Sequence, residues 1–181
     1  WVNKRVKRPK GQLIWVHVAS VGEALSTLPL IQKILGDLPD TNVLVTSTTK
    51  TSAKLLKNYD DDRVIHQMSP FDTFFVSNRF LNHWKPDLAF RVESEIWPRI
   101  LVEIKKRKIP NYLFNARFSI KTIERMKNDI ISAKYLLSLF DQIHVPEKQS
   151  EQLLFELGLK PDKIFITGDL KDSREALQFD T

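Results

Sequence analysis

Short apolar runs rich in β-branched residues alternate with longer amphipathic stretches along almost the whole chain, and this alternation is the strongest constraint on the fold. The connections between the apolar runs are too long for hairpins, which indicates parallel strands joined by helices. In the first amphipathic stretch Leu25, Leu28, Ile31 and Leu35 recur at spacings of three and four, which predicts one buried helical stripe. The pattern predicts an α/β fold with a Rossmann-like parallel sheet flanked by helices.

The same reading gives bounds for each element. The predicted strands are residues 13–19, 42–47, 63–66, 87–92, 111–115, 142–145 and 163–167. The predicted helices are residues 23–35, 51–58, 73–84, 98–106, 120–139 and 148–157, with a break expected near Asn128 and Asp129. Proline and glycine fall between these elements, and nothing marks an internal domain boundary.

The positive charge of the chain is concentrated near its start. The net charge is +6, and removing Lys4, Arg5, Lys7, Arg8 and Lys10 leaves 23 basic and 22 acidic residues. An almost neutral body argues against a nucleic-acid partner, because that binding depends on many phosphate contacts. Residues 1–12 are better explained as a short basic arm that lies beside an anionic lipid surface.

Several chemistries are excluded by what the sequence lacks. There is no cysteine, which removes disulfides and thiolate sites, and no apolar run is long enough to span a membrane. The five glycines, at 11, 22, 36, 158 and 168, form neither a dinucleotide-binding motif nor a P-loop. The four histidines are scattered without metal-ligand spacing. We therefore expect no cofactor and no metal site.

Ligands of parallel sheets bind beside the carboxyl ends of the strands, so the residues after each predicted strand are the candidates. Ser20, Gly22 and Glu23 follow the first strand, where Ser20 and Glu23 form an S-x-x-E capping box. Gly22 suits either a close approach by a ligand or a positive φ. The pattern favours helix capping over catalysis at Glu23, and the two roles are compatible.

Acidic residues follow the third and fourth predicted strands. Asp72 is interpreted first as a helix N-cap and second as a ligand. Glu93 and Glu95 would face the same way if the fourth strand continued. Ser94 or Glu95 is expected to begin the helix that contains Pro98. Capping is a weak explanation for Glu93, and a functional role is equally favoured there.

Polar and basic residues follow the later strands. Arg117 is well placed to bind a phosphate or carboxylate, and Ser119 is an ordinary N-cap candidate. Lys171 is either a surface charge or a cation beside a phosphate. The basic run 105–108 ends a helix, where cations complement the helix dipole, and contact with anionic lipid is the alternative. Taken singly, each of these features favours a structural role.

Taken together and in order, these motifs resemble the 3-deoxy-D-manno-octulosonic acid (Kdo) transferases of Gram-negative bacteria. The resemblance covers roughly residues 13–172. It rests on segments 14–23 (IWVHVASVGE), 70–72 (PFD), 79–81 (RFL), 85–86 (KP), 93–98 (ESEIWP), 109–110 (IP), 115–119 (NARFS), 157–158 (LG) and 168–171 (GDLK).

The resemblance implies a GT-B architecture in which residues 13–181 are the N-terminal, acceptor-binding half. It implies that the basic arm follows a membrane anchor and that a donor-binding domain is absent from this chain. The family uses CMP-Kdo as donor and lipid IVA, the lipid A precursor, as acceptor. Transfer is expected to be inverting and to occur at the cytoplasmic face of the inner membrane. The isolated fragment is expected to be inactive.

The resemblance also assigns roles to residues. Glu23 maps onto the general base, and Glu93 and Lys171 onto groups that stabilise the transition state. Glu93 either favours the oxocarbenium-like carbon or orients the acceptor. The substrate-binding candidates in these motifs are Ser20, Gly22, Asp72, Glu95, Arg117 and Ser119.

Two positions depart from the family pattern. Arg99 stands where the family commonly has asparagine, and its charge in a first helical turn implies an anionic group nearby. Asp169 replaces the asparagine of the G-N-L-K motif and is expected to moderate Lys171. The alternative to an enzyme is a non-catalytic Rossmann-like binding module at a membrane surface. Convergence of Glu23, Glu93, Arg117 and Lys171 on one cleft distinguishes the two.

Overall fold

The computed structural model describes residues 6–172, apart from Asn58, Asp60, Ser94 and the side chain of Lys57. Within these residues, seven parallel strands form one sheet: β1 Gln12–Val18, β2 Thr41–Ser47, β3 Val64–Met68, β4 Leu88–Val92, β5 Asn111–Phe114, β6 Gln142–Val145 and β7 Ile164–Ile166. Their order across the sheet is β3-β2-β1-β4-β5-β6-β7. The predicted Rossmann-like parallel sheet is confirmed.

The helices of the described residues are α1 Val21–Asp37, α2 Lys50–Lys57, α3 Phe74–Trp84, α4 Pro98–Lys106, α5 Ile120–Asn128, α6 Ile130–Ser138 and α7 Lys148–Glu156. A short 3-10 turn, Pro161–Lys163, precedes β7. The predicted bounds differ from these by at most two residues, and the predicted helix end at Asn58 lies outside the described residues. The predicted break is confirmed, because Asp129 Oδ1 accepts the Ser132 N–H at 3.1 Å and starts α6.

Both faces of the central strands are covered. On β1, Leu13 and Trp15 pack with Phe80 of α3, whereas Ile14 packs with Ile31 of α1 on the opposite face. This alternation follows from the two-residue repeat of a strand, and burial of both faces is typical of a parallel sheet. The packed strands give the residues at their carboxyl ends a rigid base.

The strand order reverses between β1 and β4, and we call the carboxyl edge at this place the switch point. The two strands are paired in register, with His17 of β1 opposite Arg91 of β4. The loops that leave them carry Ser20 to Glu23 and Glu93 to Trp97. Open α/β sheets bind ligands at such switch points, because the loops diverge to opposite faces and leave a crevice.

The start of the described chain is attached to the domain. The Arg8 guanidinium donates to the carbonyl of Trp84 at 2.8 Å and pairs with Asp87 at 3.1 Å. Of the predicted basic arm, Lys7 and Lys10 are exposed, and Lys4 and Arg5 lie outside the described residues. In the part of the chain that the structure describes, no helix combines the length and apolar character needed to cross a bilayer.

Candidate active site

Glu23 lies in the first turn of α1, at the carboxyl end of β1. Ser20 Oγ accepts the Glu23 N–H at 3.1 Å, and Glu23 Oε2 accepts the Ala19 N–H at 2.8 Å. The predicted N-cap at Ser20 is confirmed. The Glu23 carboxylate, however, binds the N–H of Ala19, the residue before Ser20, and not the N–H of Ser20 itself. Of the two alternatives for Gly22, the positive φ is wrong, because this residue is helical. The nearest atom to an added Cβ is Ser20 Oγ at 3.8 Å, and a close approach by a ligand stays a prediction.

The surroundings of Glu23 make it a stronger base than an ordinary glutamate. Its side chain is buried, with the residue 6% exposed. Burial raises the pKa of Glu23, and hydrogen bonds from Ala19 and Ser20 only partly oppose that rise. The negative charges of Glu93 and Glu95 raise it further. Three carboxylates from two loops therefore interact at the switch point.

Glu93 ends β4 in the left-handed region of backbone space. Its φ is +60°, and its N–H donates to the carbonyl of Phe114 at 2.9 Å. Such a backbone costs energy for a residue with a side chain and is concentrated at functional sites. Lys171 Nζ lies 3.9 Å from Glu93 Oε1. The two side chains expected to act together are thus brought within ion-pair distance.

Glu95 belongs to a chain of buried hydrogen bonds that leads from the sheet to the surface. Trp15 Nε1–H donates to Thr46 Oγ1 at 2.9 Å, and Thr46 Oγ1 is 2.9 Å from His17 Nδ1. Glu95 Oε2 lies 3.2 Å from His17 Nε2 and accepts the Trp97 Nε1–H at 2.7 Å. Each contact needs one hydrogen atom. Glu95 can only accept, so neutral His17 donates from Nε2, and its Nδ1 therefore accepts the Thr46 hydroxyl.

The pKa directions agree with this assignment. Burial lowers the pKa of His17, which keeps the ring neutral at pH 7. Burial would raise the pKa of Glu95, but hydrogen bonds from His17 and Trp97 and the positive charge of Arg91 lower it overall. Glu95 is therefore ionised, and its Oε2 is engaged with His17 and Trp97. Its predicted role in binding substrate stays a prediction.

A groove of about 1110 Å³ opens beside this network. Its wall includes Trp97 and Ile96. The groove is lined further by Lys50 and Lys54 of α2, by Met68 at the end of β3, and by Ser69, Phe71 and Asp72 after that strand. The lining is mostly apolar, with the two lysines contributing positive charge. Glu23 is not one of the lining residues.

Asp72 fixes one side of this groove. Its two carboxylate oxygens accept the N–H groups of Arg99 and Ile100 at 3.0 and 2.8 Å. The predicted N-cap role of Asp72 is wrong, because Thr73 is the N-cap residue of α3 and Asp72 instead binds the first N–H groups of α4 from a distant segment. The expectation that Ser94 or Glu95 begins α4 is wrong at Glu95, because Trp97 is the cap residue and Asp72 supplies the acceptor. Ser94 lies outside the described residues.

Arg117 and Ser119 lie farther along the same edge, after β5. Arg117 pairs with Asp169 at 2.6 Å, and both side chains are partly exposed. Ser119 Oγ accepts the Thr122 N–H at 3.2 Å and caps α5. Asp169 Oδ1 accepts only the backbone N–H of Lys171, at 3.0 Å, so the acid neutralises Arg117 rather than the Lys171 side chain.

The sequence reading missed His17, Arg91 and Trp97 as parts of the site. His17 and Arg91 lie within apolar runs of the sequence. A polar or charged residue inside a strand whose other residues are buried is the feature that could have identified them. Among the described residues, no three His, Asp or Glu side chains form a group that could hold a metal ion.

Glu23, Glu93, Arg117 and Lys171 all lie after the carboxyl ends of strands in one sheet, and none of them lines the groove. Their convergence on one cleft stays a prediction. The sequence model of the family described as 3-deoxy-D-manno-octulosonic-acid transferase (kdotransferase) matches residues 1–174. The chain belongs to the Kdo transferase family.

Individual members of the Kdo transferase family support the assignment. A probable mitochondrial Kdo transferase of Arabidopsis thaliana is 35% identical over 167 residues, which are 91% of the chain and 37% of that protein. The Kdo transferase of Rickettsia bellii is 37% identical, with coverages of 91% and 39%. That of Haemophilus influenzae is 31% identical, with coverages of 90% and 38%. The chain thus spans less than two fifths of the length of these relatives.

Solved structures agree on the architecture. S. aureus MnaA in a UDP co-structure superposes with a TM-score of 0.64 at 14% identity, covering 91% of the chain and 46% of that protein. UDP-N-acetylglucosamine 2-epimerase from Rickettsia bellii gives 0.63 at 14% identity, covering 92% and 47%. At this identity the likeness concerns the fold alone. This likeness confirms the predicted fold of the chain, a Rossmann-like domain that corresponds to one half of a GT-B architecture.

The family departure at Arg99 has a structural explanation. Its guanidinium pairs with the buried Glu103 at 3.0 Å and lies 4.4 Å above the ring of Phe74. The anionic group that the sequence implied is therefore internal. Glu103 also binds Lys106 and Arg107, and Lys105 pairs with Asp141. Most of the basic run 105–108 is thus held by acids of the domain itself.

Proposed function

We propose that this chain is the acceptor-binding half of a transferase that moves Kdo from CMP-Kdo to lipid IVA with inversion at the anomeric carbon. The proposal rests on family membership together with one observation, the Glu23 carboxylate at the switch point with a raised pKa. The convergence of charged side chains on one edge supports an enzyme over the non-catalytic binding module.

Glu23 is the proposed general base. A sugar hydroxyl becomes a good nucleophile only when its proton is removed as the new bond forms, and a positioned carboxylate can accept that proton. A carboxylate with a raised pKa holds the proton more strongly, which makes it a better base. Its Ala19 hydrogen bond fixes one oxygen and thereby orients the group.

Glu93 and Lys171 are the proposed electrostatic partners. Breaking the bond to CMP leaves positive charge on the sugar carbon and negative charge on the phosphate. Lys171 offsets the phosphate charge, and Glu93 either favours the cationic carbon or orients the acceptor. Their separation of 3.9 Å supports a shared role at one reacting centre.

The acceptor is proposed to occupy the groove beside Trp97. Lipid IVA carries phosphates and acyl chains, which complement the lysines and the apolar lining respectively. The remaining candidates, Ser20, Gly22, Asp72, Glu95, Arg117 and Ser119, are proposed to shape or contact the two substrates. We place the reaction at the cytoplasmic face of the inner membrane, where the exposed Lys7 and Lys10 face anionic lipid.

The test separates binding from turnover. Titration of the 181-residue chain with a soluble diphosphorylated glucosamine disaccharide is expected to give saturable binding, weakened at least threefold by the double substitution Lys50→Glu and Lys54→Glu. Lys148→Glu and Lys160→Glu, on the exposed surface far along the chain, serve as the matched control. Kdo transfer is expected from the intact transferase and not from the chain alone. Turnover by the chain alone, or tighter binding of CMP-Kdo than of the disaccharide, would contradict the proposal.

A further inference from the structure

Arg91 is the least expected side chain of the sheet. It lies on the central strand β4, it is 1% exposed, and no hydrogen-bond partner is found for any of its three guanidinium nitrogens among the described residues. Its guanidinium carbon lies 5.0 Å from the centre of the Trp15 ring, which provides only partial compensation. A buried cation without hydrogen bonds is costly, and its presence requires a physical reason.

The titratable groups near Arg91 come from three elements, and His17 among them is neutral. His17 lies opposite it on β1, Glu95 follows β4, and Asp72 follows β3. Burial lowers the pKa of Arg91 to about 10, against the opposing effect of Glu95 and Asp72, so the group is charged at neutral pH. The cation therefore interacts electrostatically with two acids that belong to different loops.

Those two acids bind neighbouring groups at one corner of the groove. Glu95 accepts the indole N–H of Trp97 at 2.7 Å, and Asp72 accepts the Arg99 N–H at 3.0 Å. Trp97 and Asp72 both line the groove. The Trp97–Pro98 corner thus depends on two carboxylates, and Arg91 is the buried positive charge that both of them face.

We propose that Arg91 is a positioning residue, a buried countercharge that holds Glu95 and Asp72 in place and so fixes Trp97 as the wall of the acceptor groove. Glu95 Oε2 contacts both His17 and Trp97, and an ionised carboxylate oxygen accepts such hydrogen bonds more strongly than the oxygen of a neutral carboxyl group. Removing the charge of Arg91 weakens this double contact without touching substrate. The consequence for catalysis rests on the proposed function, whereas the arrangement of the corner does not.

The test needs no substrate. The indole N–H resonance of Trp97 reports the protonation of Glu95, and we measure its chemical shift against pH in the 181-residue chain. Glu95 also faces His17 and interacts with Glu23, so both are kept in every variant. Among the four tryptophans, Trp97→Phe identifies the resonance, and Trp84, bonded to the neutral Gln67 at 3.0 Å, is the internal reference.

Arg91→Met and Arg91→Gln are expected to move the titration midpoint of Trp97 upward by a few tenths of a pH unit, roughly 0.3 or more, because the Arg91 charge adds to stronger effects of His17 and Trp97. Arg91→Lys, which keeps the charge, is expected to leave the midpoint within about half of that shift, and Trp84 is expected not to respond. An unchanged midpoint in Arg91→Met overturns the proposal. Loss of the folded spectrum in both uncharged variants also overturns it, because Arg91 is then a structural residue only.

Discussion

Glu23 and Glu95 follow neighbouring strands at the same edge of the sheet, yet their surroundings move their pKa values in opposite directions. The pKa of Glu23 is raised, first by burial and then by the charges of Glu93 and Glu95. Burial acts on Glu95 too, but His17, Trp97 and Arg91 outweigh it and lower the pKa. Separation of pKa values between neighbouring acids is how one site obtains a proton acceptor and a fixed charge.

The difference arises from the partners and not from the residue type. Glu23 receives hydrogen bonds from Ala19 and Ser20, which bring no net positive charge. Glu95 faces a buried guanidinium and accepts a hydrogen bond from an indole. Glu23 is therefore poised to take up a proton, while Glu95 is suited to hold Trp97. Each prediction below challenges or refines this division.

The largest effect is expected from removing the basic oxygen. In the intact transferase, Glu23→Gln keeps an acceptor for the Ala19 N–H but cannot take a proton, so kcat is expected to fall by about a thousandfold. The unfolding midpoint in urea checks that the fold is retained. Glu124→Gln, on an exposed position of α5, is the control and is expected to keep full activity. A loss below tenfold in Glu23→Gln removes the base assignment.

The two glutamates are next expected to differ in their effect on stability. The pKa of Glu95 is lower in the folded protein than in the unfolded chain, so ionised Glu95 stabilises the fold at pH values above the unfolded-state pKa. This stabilisation is lost as the pH falls through the folded-state pKa. Glu23, with a raised pKa, contributes at low pH and loses that contribution as the pH rises.

Urea unfolding of the chain near neutral pH tests this contrast. Glu95→Gln is expected to lower the free energy of unfolding by about 1.5 kcal/mol, and Glu23→Gln to leave it unchanged or raise it. As the pH falls through the lowered pKa of Glu95, the deficit of Glu95→Gln is expected to shrink. Equal destabilisation by the two substitutions at neutral pH would contradict the contrast.

A smaller effect is expected on the pH profile of catalysis. The acid limb of kcat/KM is expected to lie above the range of an ordinary glutamate, because Glu23 must lose its proton before it can act. Glu93→Gln removes one of the charges that raise this pKa, so the limb moves to lower pH by less than about one unit. Glu147→Gln, exposed before α7, is the control. If the acid limb of kcat/KM moves to higher pH in Glu93→Gln, the limb reports a group other than Glu23.

The smallest effect is expected at the edge of the site. Asp169→Asn releases Arg117 from an exposed ion pair, and KM for an anionic substrate is expected to fall by no more than about fivefold. Asp162→Asn, exposed in the turn before β7, is the matched control. A rise in KM indicates that Asp169 contacts substrate itself.

The elements of the fold could be predicted because periodicity is local. Leu25, Leu28, Ile31 and Leu35 define the buried stripe of α1, and the central strands read as continuous apolar runs because both of their faces are buried. Motif order also predicted that Glu23 and Glu93 lie at one edge. The direction of each pKa could not be read in the same way, because it depends on contacts between residues far apart in sequence.

Asp72 and Arg91 illustrate that limit. Asp72 stands where the sequence predicts an N-cap for the next helix. The N–H groups that it binds belong to residues 27 and 28 positions later in the sequence. Arg91 stands in an apolar run. The neighbouring sequence does not show whether its side chain is a buried countercharge or lies in solvent at the end of the strand. Tertiary packing decides both cases.

A structure of the intact transferase with bound acceptor tests the central division between the two glutamates most directly. The account predicts an acceptor hydroxyl within about 3 Å of the Glu23 carboxylate, with Glu95 still bonded to the Trp97 indole. A reacting hydroxyl bound by Glu95, with the Glu23 carboxylate beyond the reach of any acceptor oxygen, would contradict it.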